Sequence, residues 1–173
     1  MKKTILCSLF MALALTVSAQ LKVGTQFGGA NWVGLSLNAG YEFQFNESND
    51  WSIDALAGIG VILPYFGPNS IFNFQSNIYH KNIGLGIETA FHNEKPFYEK
   101  TIPSSAFIDL LAYPNISWRT QLSKHIYLSF SAGAYLAFSK YGSEIGMKDK
   151  FRFEGDVLPG IGISCYYKFN TRT

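Results

Sequence analysis

The sequence predicts an all-β protein: eight antiparallel strands running up and down around a closed, transmembrane β-barrel. Three observations carry this prediction. Apolar and polar residues alternate with period two along most of the chain, as side chains do on a strand. Some of these runs, residues 106–122 above all, greatly exceed the five or six residues usual for a globular strand. Beyond the N-terminal segment no apolar stretch is long enough for a spanning helix, so a crossing would have to be made by strands.

The chain begins as a secretory signal does. Lys2 and Lys3 form a charged start, Ile5 to Val17 an apolar core, and Val17-Ser18-Ala19 a small-residue cleavage site before Gln20. Residues 1–19 are expected to be removed as a signal peptide, leaving residues 20–173 as one barrel domain. Cys7 lies too early in the apolar core to be the acylated cysteine of a lipoprotein. Of 14 basic and 12 acidic residues, cleavage removes only Lys2 and Lys3, so the mature charges balance. A chain without net charge or a basic stripe gives no case for nucleic acid. Cys165 would be the only cysteine left, which excludes an intramolecular disulfide.

The first strand sets Leu21, Val23, Thr25 and Phe27 against Lys22, Gly24, Gln26 and Gly28, and Gly29-Ala30-Asn31 follows as a short connection. In the second strand every odd position from Val33 to Phe45 is apolar, opposite Gly34, Ser36, Asn38, Gly40, Glu42 and Gln44. Residues 46–50, rich in Asn and Asp, make a turn. The third strand carries Trp51, Ile53, Ala55, Ala57, Ile59, Val61 and Leu63 on its apolar face, with Ser52 and Asp54 opposite. After a loop at 64–69, the fourth strand sets Phe72, Phe74 and Ile78 against Asn73, Gln75, Asn77 and Tyr79. The fifth follows a His80-Lys81-Asn82 turn, with Ile83, Leu85, Ile87, Thr89 and Phe91 on its apolar face. A longer connection at 93–105 leads to a hairpin of strands six and seven, residues 106–122 and 126–138, both apolar at even positions. After a loop at 141–150, the eighth strand sets Phe153, Val157, Ile161, Ile163, Cys165, Tyr167 and Phe169 against Arg152, Glu154, Asp156, Ser164 and Lys168.

Connections after strands two, four and six are short, and those after three, five and seven are longer, as the two rims of an outer-membrane barrel require. The connection after strand one is very short for an outer loop. Alternation alone also fits a soluble, lipocalin-like barrel with its apolar face inward. Three features favour apolar-out. The apolar face is too bulky for an eight-stranded interior, and the opposite face is mostly glycine, serine and asparagine. Aromatic residues also gather at strand ends: Tyr41, Phe43, Phe45, Trp51, Trp118, Tyr167 and Phe169 toward the short turns, and Trp32, Phe72, Phe74, Phe91, Phe138 and Phe153 toward the long loops.

With that face outward, Lys22, Glu42, Asp54, Arg119 and Lys168 fall in the lower lumen, with Glu88 a little above. Unpaired buried charges are very costly, so these six are expected to pair into a plug, with Arg119 as its basic centre opposite Glu42, Asp54 and Glu88. The alternative is that they merely line a wet lumen. Asp109, Arg152, Glu154 and Asp156 form a second, upper cluster, either a polar-ligand or cation site or charges paired at a solvated rim. Pro114 and Pro159 lie within strands, where each removes a ladder donor, and are read as sites of local bulging.

This pattern resembles the small outer-membrane barrels of the OmpA/OmpX-like superfamily, which end in a glycine-rich, aromatic strand like Gly160-Ile161-Gly162-Ile163-Ser164-Cys165-Tyr166-Tyr167-Lys168-Phe169. The resemblance covers the mature chain and implies an outer-membrane location in a Gram-negative bacterium. It also implies partners: outer-membrane lipid and lipopolysaccharide, and the barrel-assembly machinery that reads a terminal aromatic residue. Here the chain continues past Phe169 to Thr173.

The expected role is non-enzymatic, structural or surface-interacting, in a monomer without cofactor or metal. Lys148 and Lys150 beside Asp149 offer a contact to lipopolysaccharide. A lipid-modifying enzyme is the alternative and would need a nucleophile and base near the outer leaflet; the candidates are His92 with Ser104 or Ser105. A soluble ligand carrier is the third reading. Histidines are scattered, so no metal-ligand cluster is expected, and Gly84-Leu85-Gly86 has no following helix to make a phosphate loop.

Overall fold

The structure, a computed structural model, describes residues 17–45, 50–62, 70–92, 107–141 and 150–169. Eight strands form one closed antiparallel barrel in sequence order: β1 (Val17–Gly28), β2 (Gly34–Phe45), β3 (Trp51–Ile62), β4 (Ser70–His80), β5 (Ile83–His92), β6 (Phe107–Gln121), β7 (Ile126–Tyr141) and β8 (Lys150–Lys168). The all-β up-and-down architecture expected from the alternation is therefore present, and β8 closes the ring on β1.

Closure requires stagger. A row of paired residues followed from Gly28 through Gly162, Ser131, Ser117, Gly84, Tyr79, Ser52 and Gln44 returns to β1 at Ser18, ten residues away. Such a shear tilts the strands and fixes which inward side chains meet across the lumen.

Alternation of buried and exposed residues holds along most of the wall; β6 departs from it at Leu111–Tyr113, all buried, and β8 at Val157–Pro159, all exposed. β4 switches between exposed and buried without a break from Ser70 to His80. Outward positions are apolar and inward ones largely polar: Ile59, Leu85 and Ile116 are exposed, whereas Glu42, Asp54 and Asn38 are inaccessible to solvent. Cys165 is exposed on the outer face.

Several strand ends differ from expectation. β1 begins at Val17, inside the expected cleavage site, because the lower end of β2 offers it partners from Phe45 to Glu42. β7 and β8 extend to Tyr141 and Lys150, which pair with each other beyond the expected loop boundary. Two register shifts interrupt the long strands, between Ile108 and Leu110 on β6 and between Leu136 and Phe138 on β7. The first leaves Asp109 as an extra residue; the second sets residues 154–156 opposite Ala137 alone. Pro114 and Pro159 do not sit at these shifts. They lie on the outer face, both exposed, in the row that holds Ile87 and Ala134.

The largest departure is the connection after β1. Gly29–Asn31 forms a single 3-10 turn whose three residues are buried. It approaches all eight strands, so it lies inside the barrel rather than above it. Gly28 and Gly29 take φ of 75° and 58°, left-handed values that turn the chain inward without a Cβ penalty. Trp32, placed by its sequence position in an outward aromatic girdle, instead has φ 57° and packs its ring on Tyr135 of β7, centroids 4.7 Å apart.

Candidate functional site: a lumen filled on three levels

The lowest level is ionic, and five strands each supply one charge. The register sets like charges side by side, Lys22 of β1 beside Lys168 of β8 and Glu42 of β2 beside Asp54 of β3. Adjacent like charges destabilise a sheet, so each pair must find its opposite across the lumen. Glu42 is the hub. One carboxylate oxygen lies 2.9 Å from Arg119 Nη1, and the other lies 2.7 Å from Lys168 Nζ and 3.8 Å from Lys22 Nζ. Lys22 binds Asp54 at 2.6 Å, and the remaining Asp54 oxygen accepts from the Asn77 amide and side chain at 3.0 and 2.9 Å. Arg119 also donates to Ser52 Oγ at 3.1 Å and to the Lys81 carbonyl at 3.1 Å.

Tyrosine rings complete this level. Lys22 lies 4.4 Å from the centroid of Tyr166, Arg119 lies 4.1 Å from that of Tyr79, and Lys168 lies 4.0 Å from that of Tyr127. A cation over a ring face gains electrostatic stabilisation that grows as water is excluded. Five of the six expected lumen charges thus meet in one network. Its centre is Glu42, not Arg119, which sits at the edge with its side chain 13% exposed.

The sixth charge, Glu88, belongs to the middle level. One of its oxygens accepts from Gln26 Nε2 at 2.7 Å and from the Ala30 backbone N–H at 3.0 Å, and the other accepts from Asn115 Nδ2 at 3.5 Å. Glu88 therefore holds the 3-10 turn rather than balancing Arg119. Gln75 donates to Tyr166 at 2.8 Å, and Asn38 donates to Gln26 at 3.1 Å, so amides bridge the lumen between the charges and the turn. On the turn itself Asn31 donates to Ser36 Oγ at 2.8 Å and accepts from Asn73 at 2.8 Å.

The upper level is apolar. Ala30, Ile71, Ala90, Leu111, Tyr113, Tyr135 and Ala137 form one buried cluster with Trp32 packed against it. This apolar cluster is not among the expected features of an inner face of glycine, serine, asparagine and paired charges, although Ile71, Leu111 and Ala137 stand at inward positions. The inward course of Gly29–Asn31 is a further difference from expectation, for which the Gly28-Gly29 pair is the one signal in the sequence.

Of the expected upper charge cluster, the backbones of Asp109, Arg152, Glu154 and Asp156 are described, but their side chains lie outside the described set. His92 ends β5, and its side chain also lies outside that set, as do Ser104, Ser105 and the loop carrying Lys148 and Asp149. Among the described residues no group of His, Cys, Asp or Glu side chains is gathered as a metal site.

What this arrangement does physically is close the barrel from within. Charges, amides and an apolar cap occupy successive levels, the ionic one meeting the amides where Lys22 lies over the Tyr166 ring and Tyr166 bonds Gln75. Against models of known protein families and against curated proteins, the chain has no significant match.

Proposed function

We propose that this protein is a non-enzymatic, integral outer-membrane β-barrel of a Gram-negative envelope, structural or surface-interacting in role, with a lumen closed by its own side chains. One observation carries the reading: the polarity of the barrel is inverted. Lys22, Glu42 and Asp54 are buried, while Leu37, Ile59, Phe72, Leu85, Ile116 and Ile161 stand exposed around the outer wall. A soluble barrel exposing apolar residues on every strand would far exceed the patch of a few hundred Å² that monomers tolerate. A bilayer removes the conflict, because closed barrels satisfy all their backbone groups internally.

Ile87→Arg tests the reading. Ile87 is 52% exposed and lies midway along β5, between Ile83 beside Trp118 and Phe91 toward the other rim. In a soluble protein the change should therefore cost within about 0.5 kcal/mol. On a lipid-facing strand near the bilayer midplane it should cost about 2–4 kcal/mol. Urea unfolding of the wild type and variant refolded into lipid vesicles measures the difference. Recovery of the protein in outer-membrane fractions, with different gel mobility before and after boiling, is the matching cellular result. Recovery in the soluble periplasmic fraction would return the carrier reading.

A further inference from the structure

The wall of the barrel is incomplete at one place. β1 pairs with β8 only from Lys22↔Lys168 to Gly28↔Gly162. Above that point the chain leaves β1 for the lumen turn, while β8 continues upward to Lys150, paired with β7. Residues 150–161 of β8 therefore have no β1 neighbour. An apolar groove of about 660 Å³ occupies the resulting notch, within the range of small-molecule sites. Val33 and Ile161 flank it as lips, the paired Phe27 and Ile163 close its lower end, and it reaches Trp32 and Tyr135.

Two features separate this notch from a frayed edge. Unpaired backbone groups are costly in hydrocarbon, and part of this edge avoids the cost because Pro159 has no N–H to satisfy. The Tyr113 hydroxyl donates to the Gly160 carbonyl at 3.1 Å, and Tyr135 stacks on Tyr113 behind it. Both tyrosines reach out from the lumen side. The borders of the notch, moreover, are continuous with the exposed outer wall: Phe27 is 43% and Ile161 78% accessible. Glycines 160 and 162 let Tyr135, Ser131 and the lumen turn pack directly against β8, since a Cβ on Gly162 would stand 2.6 Å from Ser131 Oγ.

We propose that the notch is a lateral binding site for one acyl chain of a membrane lipid, entering from the outer wall and lying against Trp32. This rests on the outer wall facing lipid, because continuity with that wall names the occupant. The chain would lie across the gap that β1 leaves, covering rings that elsewhere in the barrel are sealed behind a strand. The charged level below keeps it from passing through the lumen.

The test uses tryptophan as a reporter, since the protein holds Trp32, Trp51 and Trp118. Double Trp→Phe variants leave one tryptophan each, in the full chain refolded into phosphatidylcholine vesicles carrying bromine on the acyl chains. Bromine quenches an indole only at short range. Trp32 alone should lose emission to an extent comparable with Trp118 alone, and Val33→Phe, which narrows the notch, should restore much of Trp32 emission without changing Trp118. Ile161→Phe, on the β8 side of the notch, serves the same purpose if Val33→Phe does not refold. Quenching of Trp51 and Trp118 with Trp32 spared would overturn the lipid site and leave the membrane reading standing. No quenching at any of the three would remove the membrane reading and the site with it. Trp32 quenching that neither lip variant reduces would likewise refute the notch as the route.

Discussion

Glu42 has no solvent of its own and is approached by Arg119, Lys168 and Lys22. Removing its charge leaves three cations facing Asp54 alone. Breaking a buried pair from one side costs about 3–5 kcal/mol, because the remaining charge is stranded. Glu42→Gln should therefore lower unfolding stability in lipid or detergent by that order. Arg119→Gln should cost less, since its guanidinium is partly exposed and Lys168 and Lys22 still neutralise Glu42. Urea midpoints of the two variants check the ranking, and equal losses would contradict Glu42 as the hub. Period-two phase was enough to place Lys22, Glu42, Asp54, Arg119 and Lys168 inside. It could not say which would touch, because partners across the lumen depend on shear, and shear leaves no trace in the alternation of a single strand.

Two elements show how much of the fold depends on left-handed residues. The 3-10 turn can enter the lumen because Gly28 and Gly29 have positive φ. An alanine at Gly29 should cost about 1–2 kcal/mol from the backbone alone, and its Cβ would also press on the Glu88 carboxylate and the Gln26 amide. Glu88→Ala tests the same element from its partner's side. With the acceptor for the Ala30 N–H gone, hydrogen exchange at Ala30 and Asn31 should quicken, and Glu88→Gln, which keeps one acceptor oxygen, should restore part of the protection. The Lys81-Asn82 turn between β4 and β5 is the opposite case. Lys81 holds φ 55° as a non-glycine residue, and its exposed pair with Asp50 at 3.3 Å contributes little. Lys81→Gly should leave stability unchanged or raise it by up to about 1 kcal/mol, read from the same urea curves. The described short turns, at 81–82 and 122–125, were legible from the polar residues that interrupt the alternation there. The inward turn was not, because a connection's length says nothing of the side of the wall on which it lies.

For the molecule as a whole, interior filling decides transport. Purified protein in planar bilayers should give no stable conductance steps, since ionic, amide and apolar levels follow one another along the lumen; regular steps in the wild type would mean that the levels part. Barrel closure and strand order followed from eight alternating runs. The apolar cap did not, because Tyr113 and Tyr135 resemble the polar residues of a wet lumen until their rings stack at 5.1 Å.

The inward turn also bears on how the barrel assembles. It lies near the start of the chain, yet its surroundings are built from every later strand, β8 included. Its neighbours near the end of the chain, such as Gly162, lie more than a hundred residues away in sequence. Such contacts are among the slowest to form, because the loop they close is nearly the whole polypeptide. A chain cut before β8 would have nowhere to settle this turn, and Glu42 would lack Lys168. The first connection in the sequence thus has all its contacts only once the last strand has joined the first.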